Sequence, residues 1–476
     1  MDNRILYKII IVLFILLLAL SCNVPQTAVK TANKMVPEAY PYSGDSTNTG
    51  KLDWKAYYRD ENLIALIDTA LKNKQELKII LQEIDISKAE VRSRKGEYLP
   101  FAEIRAGAGL EKEGRYTRHG AVDEQLEIRD GRSFPDPFSD LLIGAFASWE
   151  VDIWKKLHNA KKAAVFRYLA SREGKNFMVS QLIADISESY YELLVLDKLL
   201  DIIEQNIKIQ SNAVKVVRQQ KSAARVTQLA VNRFEAQLLN TQNLQFSIKQ
   251  NIVETENRLN YLTGSIPHPI KRNSAQLNQL TVDSLQAGIP AQLLVNRPDV
   301  RQAELELKAA NLDLRVARAN FLPSLGIKAG IGFQAFDPAF LVRPESILYN
   351  LAGDIMAPLV NRNAIKAAYN SANARQIQAV VKYEQTILNA YTDVLNQMSK
   401  IRNYTDSYQT KSREVELLME SISIANSLFN AARADYAEVL LTQREALEAK
   451  MDLLEIKRQQ LQTKVNVYRS LGGGWN

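Results

Sequence analysis

Cysteine and histidine are scarce in this chain of 476 residues, which has one cysteine, Cys22, and three histidines. A single cysteine excludes an intrachain disulfide framework. It also excludes a metal site built from several thiolates, and the histidines stand too far apart in sequence to show a ligand spacing. We therefore expect neither a structural disulfide nor a metal site.

Long hydrophobic runs are missing after the first 24 residues, so no membrane-spanning helix is predicted there. The start of the chain differs. Arg4 and Lys8 precede or border the apolar run Ile9–Leu20, which is too short to cross a bilayer and is typical of a secretory signal. Because Cys22 follows directly, we expect residues 1–21 to be removed as a lipoprotein signal peptide and the Cys22 thiol to be acylated.

Motifs of the common enzyme classes are absent as well. The sequence has no P-loop, no dinucleotide-binding glycine motif, no zinc-protease His-Glu motif and no nucleophile elbow. Basic and acidic residues are interleaved, so the formal net charge of +7 indicates a solvated surface rather than a nucleic-acid-binding one. We expect no catalytic activity, no cofactor and no nucleic-acid partner.

An internal repeat is the strongest feature that the sequence does contain. Residues Asn73–Gly109 align without a gap with Asn296–Gly332, and nine of the 37 positions are identical. A Leu-Pro pair and a Gly-x-Gly pattern fall at the same places in both copies. This self-similarity predicts that the chain is built from two copies of one structural unit.

Each copy continues into a stretch that favours long helices. Glycine and proline are absent from Leu359–Leu471, and the stretch Ala145–Thr263 contains only Gly174. Leucines recur every seven residues near the end of the chain, as in a coiled coil. They are Leu440, Leu447, Leu454 and Leu461. Helices of this length are typical of a stalk or a tube rather than of a compact domain.

Two segments without a strong apolar stripe are candidates for turns between long helices. They are Lys221–Gln228 in the first copy and Asn430–Val439 in the second. When the helices of the two copies are aligned, Val226 falls opposite Tyr436, so the two candidate turns coincide. We therefore predict two long helical hairpins.

The sequence pattern changes from helical to alternating after each Leu-Pro pair. Apolar and polar residues alternate from Ala102 to Glu111 in the first copy and from Ser324 to Gln334 in the second. Further alternating segments precede the long helices, at 143–152 and 347–357. About ten residues suit a tilted membrane strand. Alternation alone is equally compatible with half-buried strands in a soluble sheet.

Four strands are too few to form a closed barrel by themselves. A sheet in lipid must close because every backbone polar group has to be paired. If the strands lie in a membrane, the chain must therefore oligomerise, and three protomers would supply twelve strands. The polar face would line the lumen with the charged residues Glu103, Arg105, Glu111, Glu150, Asp152, Lys328 and Asp354.

Several motifs resemble those of the TolC-like outer-membrane efflux proteins, in particular the NodT- and OprM-type lipoproteins of RND efflux systems. They are Asn296-Arg297-Pro298-Asp299-Val300 in the repeat, Trp149-Glu150-Val151-Asp152-Ile153-Trp154 at the strand-to-helix junction, Asp435-Tyr436 near the second turn and Leu471-Gly472-Gly473-Gly474-Trp475. The resemblance covers nearly the whole mature chain, and the motifs are specific in combination.

The resemblance implies a mainly α fold with a membrane β-barrel, in which a trimer forms a 12-stranded barrel and an α-helical periplasmic tunnel. The expected boundaries are 1–21 for the signal peptide, 22–59 for the N-terminal anchor and equatorial segment, 60–264 for the first repeat, 265–291 for an equatorial linker, 292–471 for the second repeat and 472–476 for the Gly-Gly-Gly-Trp tail.

The resemblance also implies a passive outer-membrane channel, anchored by lipid and extending into the periplasm. It would carry small molecules such as drugs and toxic compounds from an inner-membrane RND-type pump and a periplasmic adaptor to the outside. Family members are closed at their helix turns, so Arg433, Asp435 and Tyr436, with Arg225, are predicted to form or flank a periplasmic gate.

Two alternatives stay open at the level of sequence. A channel of the same fold could export secreted proteins instead of small molecules. A lipid-anchored periplasmic scaffold made of coiled coils would explain the long helices and Cys22, but it would not account for four amphipathic strands placed symmetrically in two copies.

Overall fold

The structure is a computed structural model that describes residues 29–41, 47–129, 131–280, 287–358, 362–431 and 433–475. The predicted signal peptide and Cys22 lie outside these residues, so both stay predictions. Within the described part of the chain, no helix combines the length and the apolar composition that crossing a bilayer requires.

The first copy of the repeat contains helices, a pair of long strands and a long helical hairpin. A short helix, α1 (Trp54–Tyr58), precedes this copy, which begins with α2 (Glu61–Asn73) and α3 (Gln75–Glu97). The strands and the loop between them follow as β1 (Phe101–Glu111), α4 (Arg118–Asp123), β2 (Glu127–Arg129), β3 (Arg132–Ser133) and β4 (Phe138–Val151). The hairpin consists of α5 (Lys156–Ser222) and α6 (Gln228–Thr263).

The second copy has the same order of long elements with a shorter loop between its strands. Its elements are α7 (Leu293–Asn296), α8 (Pro298–Ala319), β5 (Ser324–Ala335), β6 (Ile347–Met356), α9 (Asn363–Asn430) and α10 (Tyr436–Ser470). Helix α8 and strand β5 correspond to α3 and β1, and the hairpin α9–α10 corresponds to α5–α6. The predicted duplication and the two predicted hairpins are therefore confirmed.

Residues with local capping chemistry set the ends of several helices. The Asp60 carboxylate accepts hydrogen bonds from the backbone N–H groups of Asn62 and Leu63 at 2.9 and 3.1 Å, which starts α2. Gly264 ends α6 in the left-handed region, with a φ of 68°. A short polar residue therefore marks the start of α2, and a glycine marks the end of α6.

Four strands form one antiparallel sheet in the order β1-β4-β5-β6. The pairs β1–β4 and β5–β6 lie within one copy each, and the pair β4–β5 joins the two copies. Within the described residues, β1 and β6 are each paired on one side only. Strands β2 and β3 form a separate small hairpin in the loop after β1.

The chain divides into two compact units, and each unit draws on both copies. The strand unit contains the four-stranded sheet and comprises the described residues of Asp85–Leu169 and Leu305–Val381, together with 29–31. The helical unit comprises Ala32–Ile84, Ala170–Glu304 and Lys382–Asn476. Each compact unit therefore contains the equivalent segments of both copies, and neither copy forms a unit by itself.

The core of the helical unit lies where α1, α2, α5, α6 and α10 meet. Its buried side chains include Trp54, Leu63, Ile67, Ile186, Tyr190, Leu193, Leu259, Leu461 and Tyr468. The rings of Tyr57 and Tyr468 stack with their centroids 4.1 Å apart. Burial of these aliphatic and aromatic side chains is the main favourable contribution to the stability of the unit.

The Asn-Arg-Pro-Asp-Val motif has a structural role in this unit. The side chain of Arg297 is 9% exposed, and its guanidinium donates two hydrogen bonds to the Asp299 carboxylate, at 3.0 and 2.6 Å. It also donates to the backbone oxygen of Ser470 at 3.3 Å. Burial alone would lower the pKa of Arg297, but Asp299 and Asp393 outweigh this effect and raise it. The motif thereby ties the start of α8 to the end of α10.

Replacing Arg297 with alanine should lower the free energy of unfolding by roughly 3 kcal/mol, because the Asp299 carboxylate and the Ser470 carbonyl lose a buried donor. The measurement is the thermal midpoint of the helical circular dichroism signal. Arg413→Ala is the control, because Arg413 forms an exposed ion pair with Glu416 that should contribute less than about 1 kcal/mol. Equal midpoints for the two variants would contradict the role assigned to Arg297.

Candidate functional site

The register of the four-stranded sheet sorts its side chains onto two faces. Residues directly opposite each other in antiparallel strands project to the same side. Ile104 lies opposite Ala145, Ala145 opposite Ile331, and Ile331 opposite Tyr349. These residues belong to an apolar face that crosses all four strands. Ile104 and Tyr349, in the two edge strands, are each 82% exposed in the single chain.

The charged residues predicted to line a lumen share the opposite face of the sheet. By register, they are Glu103, Arg105, Glu111, Glu150, Lys328 and Asp354. The Lys328 ammonium lies 3.1 Å from the Asp354 carboxylate, and the Glu150 carboxylate pairs with Lys156 at the start of α5. The charges on this face are therefore mixed in sign, while its orientation toward a lumen stays a prediction.

Asp152 differs from the other predicted lumen residues because it lies just after β4 rather than within a strand. Its side chain is 6% exposed. The carboxylate accepts hydrogen bonds from the backbone N–H groups of Leu157 and His158 at 3.0 and 2.8 Å. These contacts make Asp152 a cap for the first turn of α5. The alternating pattern extended the predicted strand one residue too far, because a capping Asp follows it directly.

Electrostatics at Asp152 favour the ionised carboxylate. Burial would raise the pKa of Asp152, but the hydrogen bonds from His158 and Leu157 outweigh burial and hold the pKa below its usual range. The His158 ring nitrogen Nδ1 lies 2.6 Å from the carboxylate. A lowered folded-state pKa means that this group stabilises the fold above the unfolded pKa of aspartate and loses that effect as the pH falls.

Three phenylalanines on the charged face were missed by the sequence analysis. Phe146 lies opposite Glu103, and Phe138 lies opposite Glu111. Phe336 follows β5, and its ring centroid is 6.1 Å from that of Phe138. The sequence did contain this information, because the two-residue alternation along β4 places Phe138 and Phe146 at positions that project to the charged face. The charged face is therefore partly aromatic.

Glycine makes room for one of these rings. A Cβ at Gly330 would lie 2.7 Å from the Phe146 ring, closer than real Cβ contacts allow. The Arg105 guanidinium lies 5.4 Å from the centroid of the same ring and also pairs with Glu103. Phe146 is thus held between a glycine-lined part of the sheet and an arginine.

The turns of the two long hairpins form a second candidate region. We call residues 223–227 the first tip and residues 431–435 the second tip. The backbone N–H of Arg225 donates to the Gln220 oxygen, and that of Arg433 donates to the Leu428 oxygen, each at 2.9 Å. This hydrogen bond to the fifth residue back is the signature of a Schellman turn. The predicted locations of both turns are confirmed.

Apolar contacts connect the second tip with the first hairpin. Tyr436 and Leu440 pack on a buried cluster formed by Val214, Val217, Ala230, Val231 and Phe234, and Val226 of the first tip packs on the same cluster. Tyr436 is thereby half-buried, whereas Arg225, Arg433 and Asp435 are exposed. The structure therefore brings one predicted gate residue into a packed contact and leaves three at the surface.

The capping residues correct the predicted alignment of the tips. Thr227 precedes α6 and Asp435 precedes α10, so these two residues are equivalent, and the alignment of Val226 with Tyr436 is wrong by two residues. The Thr227 hydroxyl accepts a hydrogen bond from the backbone of its helix, at 3.4 Å, whereas the Asp435 side chain makes no capping hydrogen bond. Residue type alone did not reveal which position starts each helix.

Across the described ranges, no group of three or more histidine, cysteine, aspartate or glutamate side chains is arranged to hold a metal ion.

A comparison with known protein families identifies the chain. The family described as outer membrane efflux protein matches residues 66–265 and 289–473, which together form most of the sequence. The chain belongs to the outer membrane efflux protein family. It is therefore an outer-membrane efflux protein rather than an enzyme.

Individual family members cover almost the full length of the chain. The solvent efflux pump outer membrane protein SrpC of Pseudomonas putida is 27% identical over 442 residues, which cover 92% of this chain and 91% of SrpC. The cation efflux system protein CusC of Escherichia coli is 26% identical over 452 residues, which cover 95% and 93% of the two chains.

A solved structure shows the same fold. The open-state crystal structure of the MtrE outer membrane channel of Neisseria gonorrhoeae superimposes with a TM-score of 0.82 at 21% sequence identity, covering 95% of this chain and 98% of MtrE. The predicted TolC-like fold, mainly helical with four strands in one sheet, is therefore confirmed for this efflux protein.

Replacing Asp152 with alanine should cost about 1–2 kcal/mol near neutral pH, because two N–H groups in the first turn of α5 lose their acceptor. Asp152→Asn should keep part of this stability, since its single amide oxygen can accept one of the two bonds that the two carboxylate oxygens accept. The thermal midpoint of the purified protein is the measurement. Because the folded pKa is lowered, the gap between wild type and the alanine variant should shrink below about pH 3.9. An asparagine variant as unstable as the alanine variant would contradict the capping role.

Proposed function

We propose that three copies of this chain close their sheets into one twelve-stranded barrel, with the charged face lining a channel. The open edges of the sheet carry this proposal, because β1 and β6 are each paired on one side within the described residues. Unpaired backbone groups are very unfavourable in lipid, so β1 of one protomer would pair with β6 of the next. The exposed apolar face, including Ile104 and Tyr349, would then contact the bilayer.

Exposed apolar side chains on the long helices support the same assembly. Helix α6 exposes Leu239, Phe246 and Val253 at intervals of seven residues, and α9 exposes Leu417 and Ile424 at the same interval. Apolar side chains repeating every seven residues are typical of a seam against another helix. In the trimer, neighbouring protomers would cover these stripes and complete an α-helical periplasmic tunnel.

The proposed partners are a periplasmic adaptor and an inner-membrane pump of the RND class. The tips of the two hairpins are the place that we assign to the adaptor, because both copies of the repeat contribute a turn there. The channel itself would be passive, and the pump would supply the energy.

Small molecules are the proposed cargo. One relative is named for solvents and another for cations, and neither name refers to a secreted protein. The charges of Glu150, Lys328 and Asp354 are mixed in sign, so the charged face does not by itself select one charge type. We place the selection of cargo mainly in the pump.

A lipid anchor at Cys22 completes the proposed arrangement. Cys22 lies two residues after the apolar run at the start of the sequence and is the only cysteine in the chain. Acylation there would hold the protein to the membrane in addition to the barrel.

The tips are also the proposed gate, formed or flanked by Arg225, Arg433, Asp435 and Tyr436. Asp435 supports this assignment because its carboxylate is exposed and makes no capping hydrogen bond with α10. It can therefore form ion pairs across the threefold axis of a closed trimer. Tyr436 would hold the second tip in position through its packing on the first hairpin.

The size of the detergent-extracted protein tests the assembly. We expect a complex somewhat below three times the 53.7 kDa mass of the full sequence, since residues 1–21 would be removed. Boiling should convert it to monomer, because the barrel requires all three sheets. Light scattering and gel mobility before and after heating are the measurements, and mass spectrometry checks Cys22 for acyl groups. A monomer extracted without heating would overturn the proposed barrel, and an unmodified Cys22 would overturn the anchor alone.

The closed state of the reconstituted channel tests the gate. Asp435→Ala should raise its open probability by about two- to fivefold, the effect expected for one exposed ion pair. Current through planar bilayers is the measurement. The control is Glu416→Ala, which removes the same charge from an exposed ion pair on α9 away from the tips. An open probability that is unchanged in Asp435→Ala, or equally raised in the control, would refute the gate.

A further inference from the structure

Four phenylalanine rings cluster at the end of the sheet where loops connect β1 to β4 and β5 to β6. We call Phe134, Phe138, Phe336 and Phe340 the outer aromatic cluster. Successive ring centroids lie 6.0, 6.1 and 5.8 Å apart, in tilted and edge-to-face arrangements. These distances are typical of favourable aromatic contacts. Two of the rings come from each copy of the repeat, so the cluster joins the two loops.

We propose that the outer aromatic cluster narrows the exit of the channel and binds ring-bearing organic cations as they leave. This inference rests on the proposed closure of three sheets into a channel. It goes further, because it assigns a solute-binding surface to the channel itself and names the chemical class of the solute.

Strand register places the cluster on the face that would line the channel. Phe138 lies opposite Glu111 and belongs to the same face as Phe146 and Lys328. Phe336 comes directly after β5 and contacts Phe138. Since the connecting loops extend to the outside in membrane barrels, the rings would stand at the exit of the channel.

Hydrogen bonds fix the strand ends that carry the rings. The Ser139 hydroxyl donates to the backbone oxygen of Phe336, and the Gln334 amide donates to the Asp140 carboxylate at 2.8 Å. Both bonds connect β4 with β5 next to the Phe138–Phe336 contact. The two rings are therefore held by the sheet rather than by the loops alone.

One ring of the cluster, that of Phe340, contacts two arginine side chains of the same chain. The guanidinium carbons of Arg343 and Arg132 lie 4.8 and 5.5 Å from the ring centroid of Phe340. These are distances at which the negative face of an aromatic ring attracts a cation. A cationic solute would make the same type of contact with Phe138 and Phe336.

The charge of the surrounding loops favours a cation over an anion. Residues 111–140 and 335–346 contain ten acidic and six basic residues. Three protomers would place this excess of negative charge around one exit, and such a field raises the local concentration of cations. Aromatic surface and negative field together favour ring-bearing cations.

The proposal is tested on the full-length trimer in planar bilayers, by measuring how strongly an added organic ion blocks the current through the channel. The probe is tetraphenylphosphonium, added on the exit side, and the matched anion is tetraphenylborate. We expect the phosphonium to block more strongly than the borate. The double variant Phe138→Ala/Phe336→Ala should bind the phosphonium about tenfold more weakly and should conduct potassium chloride better, because it lacks two rings.

Two further variants make the outcomes decisive. Phe333→Ala removes a ring from the opposite face of β5 and should leave block and conductance unchanged. If the alanine double variant does not form trimers, Phe138→Leu/Phe336→Leu keeps most of the side-chain volume without the rings, and it should still lose the block.

The outcomes separate this inference from the proposed channel. If the channel conducts but tetraphenylphosphonium blocks the double variant as strongly as it blocks wild type, the proposed aromatic exit is wrong and the proposed channel stands. Stronger block by tetraphenylborate than by tetraphenylphosphonium would have the same meaning. A trimer that does not conduct would overturn both the exit and the proposed channel.

Discussion

An N–H or C=O group without a partner in the bilayer core costs several kcal/mol, and this constraint decides what the sheet of the chain can be. Four antiparallel strands leave two open edges, at β1 and β6. The apolar face of the sheet is exposed along both edge strands. In a membrane, these features require more copies of the chain. The internal repeat fits such an assembly, because each protomer already supplies two equivalent strand pairs, β1–β4 and β5–β6.

The sequence was sufficient to predict the long elements of the fold, for specific physical reasons. The scarcity of glycine and proline predicted α5, α6, α9 and α10, and the alternation after each Leu-Pro pair predicted β1 and β5. Two-residue periodicity also placed Glu103, Lys328 and Asp354 on one face correctly. These features depend on local composition and period, which are properties that a single sequence records.

Features that depend on three-dimensional contacts were harder to predict. The alternating pattern predicted that Asp152 is the last residue of a strand. In the structure its carboxylate instead accepts hydrogen bonds from the first turn of α5. The equivalence of Thr227 and Asp435 became clear only from the helix starts. The clustering of Phe138 with Phe336 could not be predicted, because these residues are almost two hundred positions apart in sequence. The proposed lumen and gate would form only between protomers, so their contacts are not properties of a single chain.

The turn at the first tip has a mechanical consequence. Ala224 adopts a left-handed conformation with a φ of 56°, which is about 1 kcal/mol less favourable for alanine than for glycine. This cost is offset by the backbone hydrogen bond from Arg225 to Gln220 and by Val226, which packs on the same apolar cluster as Tyr436. Moving the second hairpin away would remove Tyr436 from this cluster and weaken the packing around the first turn. The two tips are therefore coupled through the cluster, so that a displacement of one tip acts on the other.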